Sequence, residues 1–456
     1  MRIKRFFILL SIVLVPSLLS AASWKPLFDG KSLDGWVQRG GEATYAVVDG
    51  CIVGTTVADT PNSFLCTESE FSDFILEFDV KQEGKSNSGV QFRSLSSPDY
   101  RDGRVHGYQC EIDPSERAWS GGIYDEARRG WLYRPENQPE RKSAYQYGRW
   151  NRFRIEAIGD SLRVWINGIE MSHVVDSMTA RGFIALQVHS IYSPEDVGQR
   201  IFWRNIRIQT EDLSPSALDP EVLVRNFVPN SISPAEAAQG WSLLWDGKST
   251  QGWRRAHDTV FPDKGWVVRD GTLVIESSGG GESQFAGDIV TEATYGAFEL
   301  QLDFFLTEGA NSGIKYFVTE AYGMKVGKGS AIGLEYQLLD DKRHEDATQG
   351  AAGNRTLASL YDLIPSRKVV AHREVPRDAG QWHHARLVVF PDGRVEHWLN
   401  DCRVVEYERG SELYHALVER SKYNEWEAFG LAPEGRILLQ DHGDEVHFHS
   451  IKIREL

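Results

Sequence analysis

WKPLFDGKSLDGW (24–36) and WSLLWDGKSTQGW (241–253) both fit W-x-x-L-[FW]-D-G-K-S-x-x-G-W, 217 positions apart. A repeat of domain length reads as two copies of one domain rather than a solenoid. Further pairs follow in the same order. YAVVDGCIV (45–53) answers WVVRDGTLV (266–274), and SNSGVQF (86–92) answers ANSGIKY (310–316). GYQCEID (107–113) answers GLEYQLLD (333–340), and GGIYD (121–125) answers ASLYD (358–362). RWNRFRIEAIGDSLRVWING (149–168) answers QWHHARLVVFPDGRVEHWLN (381–400), and GFIALQVHS (182–190) answers GRILLQDHG (435–443). The offset grows along the chain, which places insertions in the loops between blocks.

Within the blocks the apolar residues alternate. Phe74, Leu76, Phe78 and Val80 do so in the first copy, and Phe298, Leu300, Leu302 and Phe304 in the second. Asn167-Gly168 and Asn400-Asp401 close period-2 runs as turns. Many short strands with Gly and Asp turns predict an all-β antiparallel sandwich in each copy. The expected divisions are 23–213 and 240–456, joined by a linker over 214–239 with four prolines. Ser233-Pro234-Ala235-Glu236 is a capping box with Pro at the first helical position, so a short helix should open there.

Arg2, Lys4 and Arg5 precede an apolar run from Phe6 to Leu19, followed by Ser20-Ala21-Ala22. That order is an export signal over 1–22, cleaved near Ala22, and the run is short for a membrane span. The expected location is periplasmic or extracellular, with no membrane span in the mature chain. Without the three basic residues the balance is 47 Lys+Arg against 65 Asp+Glu, a net of −18. Such an acidic chain is a poor partner for nucleic acid. None of the four cysteines lies in a CxxC pair, so zinc and thioredoxin chemistry have no support. Cys51 and Cys66 fall on consecutive predicted strands, where a disulfide is an option.

Alternation also assigns faces. In the first copy Val90 and Phe92 oppose Gln91 and Arg93; Tyr108, Cys110 and Ile112 oppose Gln109, Glu111 and Asp113; and Gln187 and His189 oppose the apolar residues of their strand. In the second, Lys315, Glu335, Gln337, Gln440 and His442 share the polar face. A solvated face would favour Lys, Glu and Thr. Gln and His on several strands, flanked by Trp and Tyr, instead suit a sugar surface, where amides bond hydroxyls and rings pack on pyranose C–H faces. Tyr124-Asp125 and Tyr361-Asp362 sit on loops able to fold over it. His447-x-His449 has metal-like spacing but should flank a core Phe448, and Gly327-Lys328-Gly329-Ser330 lacks the phosphate-loop spacing.

Together these motifs resemble the 3-keto-disaccharide hydrolase family, formerly a domain of unknown function, in two tandem copies. The resemblance implies two concanavalin A/laminin G-like jelly-roll sandwiches. It also implies exported enzymes acting on glycosides oxidised to a ketone at C3. On the matching positions it points to Glu335, His442 and Tyr361 as catalytic in the second copy, with Gln337, Asp340 and Gln440 binding substrate; Lys315 joins the catalytic set through the mechanism that the substrate requires. In the first copy Gln109, Glu111, Asp113, Tyr124, Gln187 and His189 occupy the corresponding blocks, with Arg93 a further substrate-binding candidate, but G-x-Q-x-E replaces G-x-E-x-Q. A C3 ketone acidifies the C2 proton, so a base at C2, an acid at the glycosidic oxygen and a stabiliser for the enolate are needed. The stabiliser is Lys315, Arg93 or a divalent cation, and no cofactor is otherwise implied. The alternatives are a non-catalytic glycan-binding sandwich and an ordinary two-carboxylate glycosidase.

Overall fold

The computed structural model describes residues 24–456 apart from 280, 282–284 and 321–330. The expected export signal and the Gly327–Ser330 fragment lie outside the described residues. The described residues form two compact units that divide between 225 and 226. No helix among the described residues is long and apolar enough to cross a membrane.

Each unit is an antiparallel sandwich, so the chain is all-β with two tandem jelly-roll-type domains. In the first, a nine-stranded sheet backs a seven-stranded one. The seven-stranded sheet runs Gly130–Tyr133, Ile123–Glu126, His106–Ile112, Ser88–Leu95, Phe183–Val188, Ser63–Thr67, Trp36–Gly40. In the second unit the described strands form an eight-stranded sheet and a five-stranded one, the latter ordered Trp253–Arg255, Ile289–Thr291, Arg436–Leu439, Asn311–Thr319, Ile332–Leu339. The alternating apolar residues meet between the sheets. Phe298, Leu300, Leu302 and Phe304 share one buried cluster with Ile314, Tyr316, Leu334, Tyr336, Ile437 and Leu439. In the first unit Phe78 stacks on Phe153 at 5.2 Å, and Phe92 on Tyr108 at 5.7 Å. Each such buried side chain contributes about 1.5–3 kcal/mol. The opposite face of the smaller sheet is therefore free to carry polar groups.

One irregularity recurs in both units. The central strand slips register between Phe92 and Leu95, and again between Tyr316 and Thr319. The residues at the slip, Arg93 and Phe317, have φ of 45° and 51°. Both slips lie against a glycine. A Cβ on Gly182 would stand 2.5 Å from the carbonyl carbon of Arg93, and one on Gly435 would stand 2.4 Å from that of Phe317. This explains why the GFIALQVHS and GRILLQDHG blocks both begin with glycine.

The bulge overturns the face expected for Arg93. Strict alternation ends before it, and the side chain is buried. Its Nε donates to Ser72 O at 2.7 Å, Nη1 to Gly159 O at 2.7 Å and Nη2 to Asp73 at 2.8 Å. Arg93 clamps loops and is committed away from the polar face.

The proline-bearing stretch 214–239 is fastened to both units rather than hanging between them. Glu156 accepts from Ser216 Oγ at 2.6 Å, Arg163 donates to Ser216 O at 2.7 Å, and Arg141 donates to Asp219 at 2.9 Å, all within the first unit. The Pro234–Ala238 helix belongs to the second unit. Ser233 Oγ accepts from Glu236 N, Glu236 Oε2 accepts from Ser233 N at 2.8 Å, and Lys452 holds the other Glu236 oxygen at 2.5 Å. The four cysteines are free and buried. Cys51 and Cys66 are not bridged; their strands lie in different sheets of the first unit.

Candidate functional sites

Cross-strand register sets the rows on each polar face. In the second unit Lys315 lies directly opposite Glu335, and Gly313 opposite Gln337. Gln440 joins the second row, its N–H donating to Gly313 O at 3.0 Å. Beyond that row, Gln337 Nε2 donates to Asn311 Oδ1 at 3.3 Å, and Asn311 Nδ2 donates to His442 Nε2 at 3.4 Å. Lys315, Glu335, Gln337 and His442 thus occupy one face in that order. Gly313 makes the room: a Cβ there would stand 2.2 Å from Glu335 Oε1. Lys315 Nζ is 3.9 Å from Asp288 Oδ2 and is nearly fully buried.

His442 is aimed by its neighbours. Asp441 accepts from the backbone of Ala286 and Gly287 at 3.0 and 2.8 Å and from Gly443 N at 3.1 Å. Tyr361 N donates to Glu335 O at 3.0 Å, so this tyrosine flanks the Glu335 strand. Its hydroxyl donates to Asp346 at 2.7 Å, and burial raises its pKa above the phenol range. Asp340 is a turn clamp, accepting from Gly309 N at 2.8 Å, Lys342 N at 3.0 Å and Arg343 at 3.1 Å.

Sequence reasoning missed three residues here: Asn311, His344 and Asp444. The recurrence of N-S-G, with Asn87 and Asn311 at its head, is the available signal. Donor atoms of His344, His442 and Asp444 lie within 4.8 Å of one another, a set able to hold a divalent cation. His344 Nδ1 accepts from Asp346 N, which puts its proton on Nε2, and Asp444 accepts from Asn311 N at 3.0 Å. A cation would have to displace that proton or the Asp346 contact. His447 and His449 lie on the other sheet of this unit, paired with Glu445 at 2.7 Å and Asp303 at 3.4 Å.

The first unit builds the matching face with its carboxyl moved by one row. Gln91 lies opposite Gln109, and Gly89 lies opposite both Glu111 and Gln187. Gln109 thus stands where Glu335 stands, and Glu111 where Gln337 stands. Glu111 accepts from Asn87 at 2.5 Å, Gln109 at 2.9 Å and Arg117 at 3.3 Å. Burial outweighs these donors and pushes its pKa up to about 7. His189 Nδ1 donates to Ser190 O at 2.6 Å. Asp113 clamps a turn through Ser115 N at 3.0 Å and Arg117 at 2.7 Å. Tyr124 lies opposite Gln109 and edge-on to Trp131 at 5.1 Å. Gln109, Glu111, Tyr124, Gln187 and His189 line one cavity of about 1020 Å³.

Paired β-sandwiches, each with a face of amides, a carboxyl and a histidine edged by aromatic rings, define a carbohydrate-active β protein. The model of the 3-keto-alpha-glucoside-1,2-lyase-like domain matches residues 23–209 and 240–454. The chain belongs to this family, in two tandem copies, and is a glycoside hydrolase/lyase-type enzyme. It is 35% identical over 240 residues to a 3-keto-disaccharide hydrolase of Bacteroides thetaiotaomicron, covering 48% of this chain and 79% of that protein. A Parabacteroides distasonis crystal structure, provisionally described as a glycosyl hydrolase, is 29% identical and covers 50% of this chain and 99% of its own, with a TM-score of 0.43. The carbohydrate binding module CBM66 of Bacillus subtilis is 17% identical and covers 38% of this chain and 95% of its own, with a TM-score of 0.26.

Proposed function

We propose that the chain is an exported enzyme that cleaves 3-keto-glycosides, with its chemistry in the second unit. The observation that carries this reading is the order of groups on one face: Lys315 beside Glu335, then Gln337, then Asn311 and His442. That order matches the reacting atoms C3, C2 and the C1 oxygen of a keto sugar. Lys315 faces the C3 carbonyl oxygen and stabilises the enolate. Glu335 takes the C2 proton. His442 gives a proton to the glycosidic oxygen as the C1–O bond breaks. Water then adds across the enone at C1 and C2, returning a proton to C2, so that the sum is hydrolysis. Buried cations and proton carriers held in fixed geometry suit charge that develops only in the transition state. Gln337 and Gln440 bond the sugar hydroxyls, and Tyr361 flanks the site.

The test is turnover of a 3-keto-glycoside against the same glycoside unoxidised. Release of the aglycone from the keto sugar alone supports the reading. Equal turnover of both would make the protein an ordinary glycosidase, and saturable binding without turnover of either would make it a glycan-binding protein.

A further inference from the structure

We infer that the first unit carries a carbohydrate-binding site of its own, one that reads a vicinal diol of an unoxidised sugar through the Gln187 amide. Gln187 is fully buried at the base of the 1020 Å³ cavity, and neither its Oε1 nor its Nε2 has a hydrogen-bond partner among the described residues. Leaving such a group unpaired costs about 1–3 kcal/mol, so the amide stands ready for a partner that enters from the cavity. It needs an acceptor and a donor side by side. Two neighbouring hydroxyls supply both, one donating to Oε1 while the other accepts from Nε2. A ketone only accepts, so a C3-oxidised ring fits this amide less well than the intact diol.

The rest of the cavity suits a neutral sugar. Two of its wall arginines are already paired, Arg117 with Asp113 at 2.7 Å and Arg104 with Glu126 at 3.3 Å, and beside Arg101 the lining also carries Asp59, Asp102 and Glu111, which disfavours an anionic ligand. Trp131 is locked edge-on between Trp119 at 4.7 Å and Tyr124 at 5.1 Å, a rigid surface for pyranose C–H groups. Tyr192 stands at the rim with 93% of its surface exposed. Glu111, next to Gln187 across Gly89, donates a further hydrogen bond when protonated. The volume accommodates a disaccharide.

This site goes beyond the ketone chemistry of the second unit and shares with it only sugars as the ligand class. Calorimetric titration of the full chain with maltose and with cellobiose tests it. Wild type and Glu335→Gln are expected to bind one of these with equal affinity. Gln187→Leu should bind about ten-fold more weakly, the worth of one good hydrogen bond. Tyr192→Ala, at a position too exposed to affect folding, should also weaken binding. No saturable binding of either disaccharide overturns the inference. So does loss of binding in Glu335→Gln with retention in Gln187→Leu, which would put the sugar in the second unit. If Glu335→Gln leaves keto-glycoside turnover intact while the titrations run as expected, the catalytic reading falls and this one stands.

Discussion

The amide of Gln109 donates to the Glu111 carboxyl at 2.9 Å, two residues further along the same strand face. Behind it, Ser94 Oγ donates to Gln91 Oε1 at 2.7 Å and Gln91 Nε2 to Gln109 Oε1 at 2.6 Å. Every donor in this chain runs toward Glu111. In the second unit the carboxyl sits one row away, at Glu335 opposite Lys315. The exchange of Gln and Glu therefore moves the acid from a lysine row to an amide row, and the two faces are not chemically interchangeable.

The first prediction follows from that difference. Glu335→Gln and His442→Ala should each lower turnover of a 3-keto-glycoside by about 10²–10⁴-fold, as loss of an acid–base group does. Glu111→Gln should cost far less. Steady-state rates with circular dichroism as a folding control check it. Inactive first-unit variants beside near-wild-type second-unit variants would move the active site to residues 87–190.

Gly313 offers a test that leaves the acid in place. Alanine there puts a methyl group 2.2 Å from where Glu335 Oε1 now lies, against the movable end of a side chain rather than backbone. Glu335 should swing out while the fold holds. Gly313→Ala is expected to lower turnover by about ten-fold or more, since small misplacement of a reacting group is costly. An unchanged rate would mean that the present position of Glu335 is unimportant.

Glu111 should make stability depend on pH. Its folded pKa of about 7 lies above the ordinary carboxyl value of about 4.3. A group raised in the folded state contributes fully below the unfolded pKa and loses its contribution as pH rises through the folded one. The loss between about pH 4.3 and 7 is roughly 3 kcal/mol. Thermal unfolding of wild type and Glu111→Gln from pH 4.5 to 8 should therefore diverge in favour of the variant as pH rises. Parallel curves would falsify the raised pKa.

Much of this was legible in the chain. The seven ordered blocks gave two sandwiches, and alternation placed Glu335, Gln337 and Glu111 on a face opposite Tyr336 and Cys110. Alternation failed at Arg93 because a bulge is a backbone event, and its signal lay in a glycine 89 residues away, Gly182. The division between the units, after residue 225, falls inside the proline-bearing stretch 214–239, and composition does not reveal that Glu156, Arg163 and Arg141 bond the first part of that backbone down. Asn311 stands in the recurring N-S-G block, but its bonds to Gln337 and His442 join residues distant in sequence, and the contact that sets the His344 tautomer leaves no periodic trace.

The last prediction concerns a buried histidine away from either site. His397 is fully buried; Tyr316 Oη donates to its Nε2 at 2.9 Å, and its Nδ1 donates to Ala358 O at 3.1 Å. Tyr407 Oη lies 2.8 Å from Tyr316 Oη and extends the network. Burial lowers the His397 pKa to about 4, against about 6.5 for a free imidazole. The ring must be neutral in the folded state, so its contribution is present above about pH 6.5 and is lost as pH falls toward 4. The loss amounts to roughly 3 kcal/mol. Gln at this position keeps one acceptor and one donor but does not titrate. Urea unfolding of wild type and His397→Gln at pH 7 and pH 4.5 should show wild type losing more stability at the lower pH by about that amount, because the carboxylates common to both cancel in the difference. Equal losses would mean that His397 takes up its proton without leaving the fold.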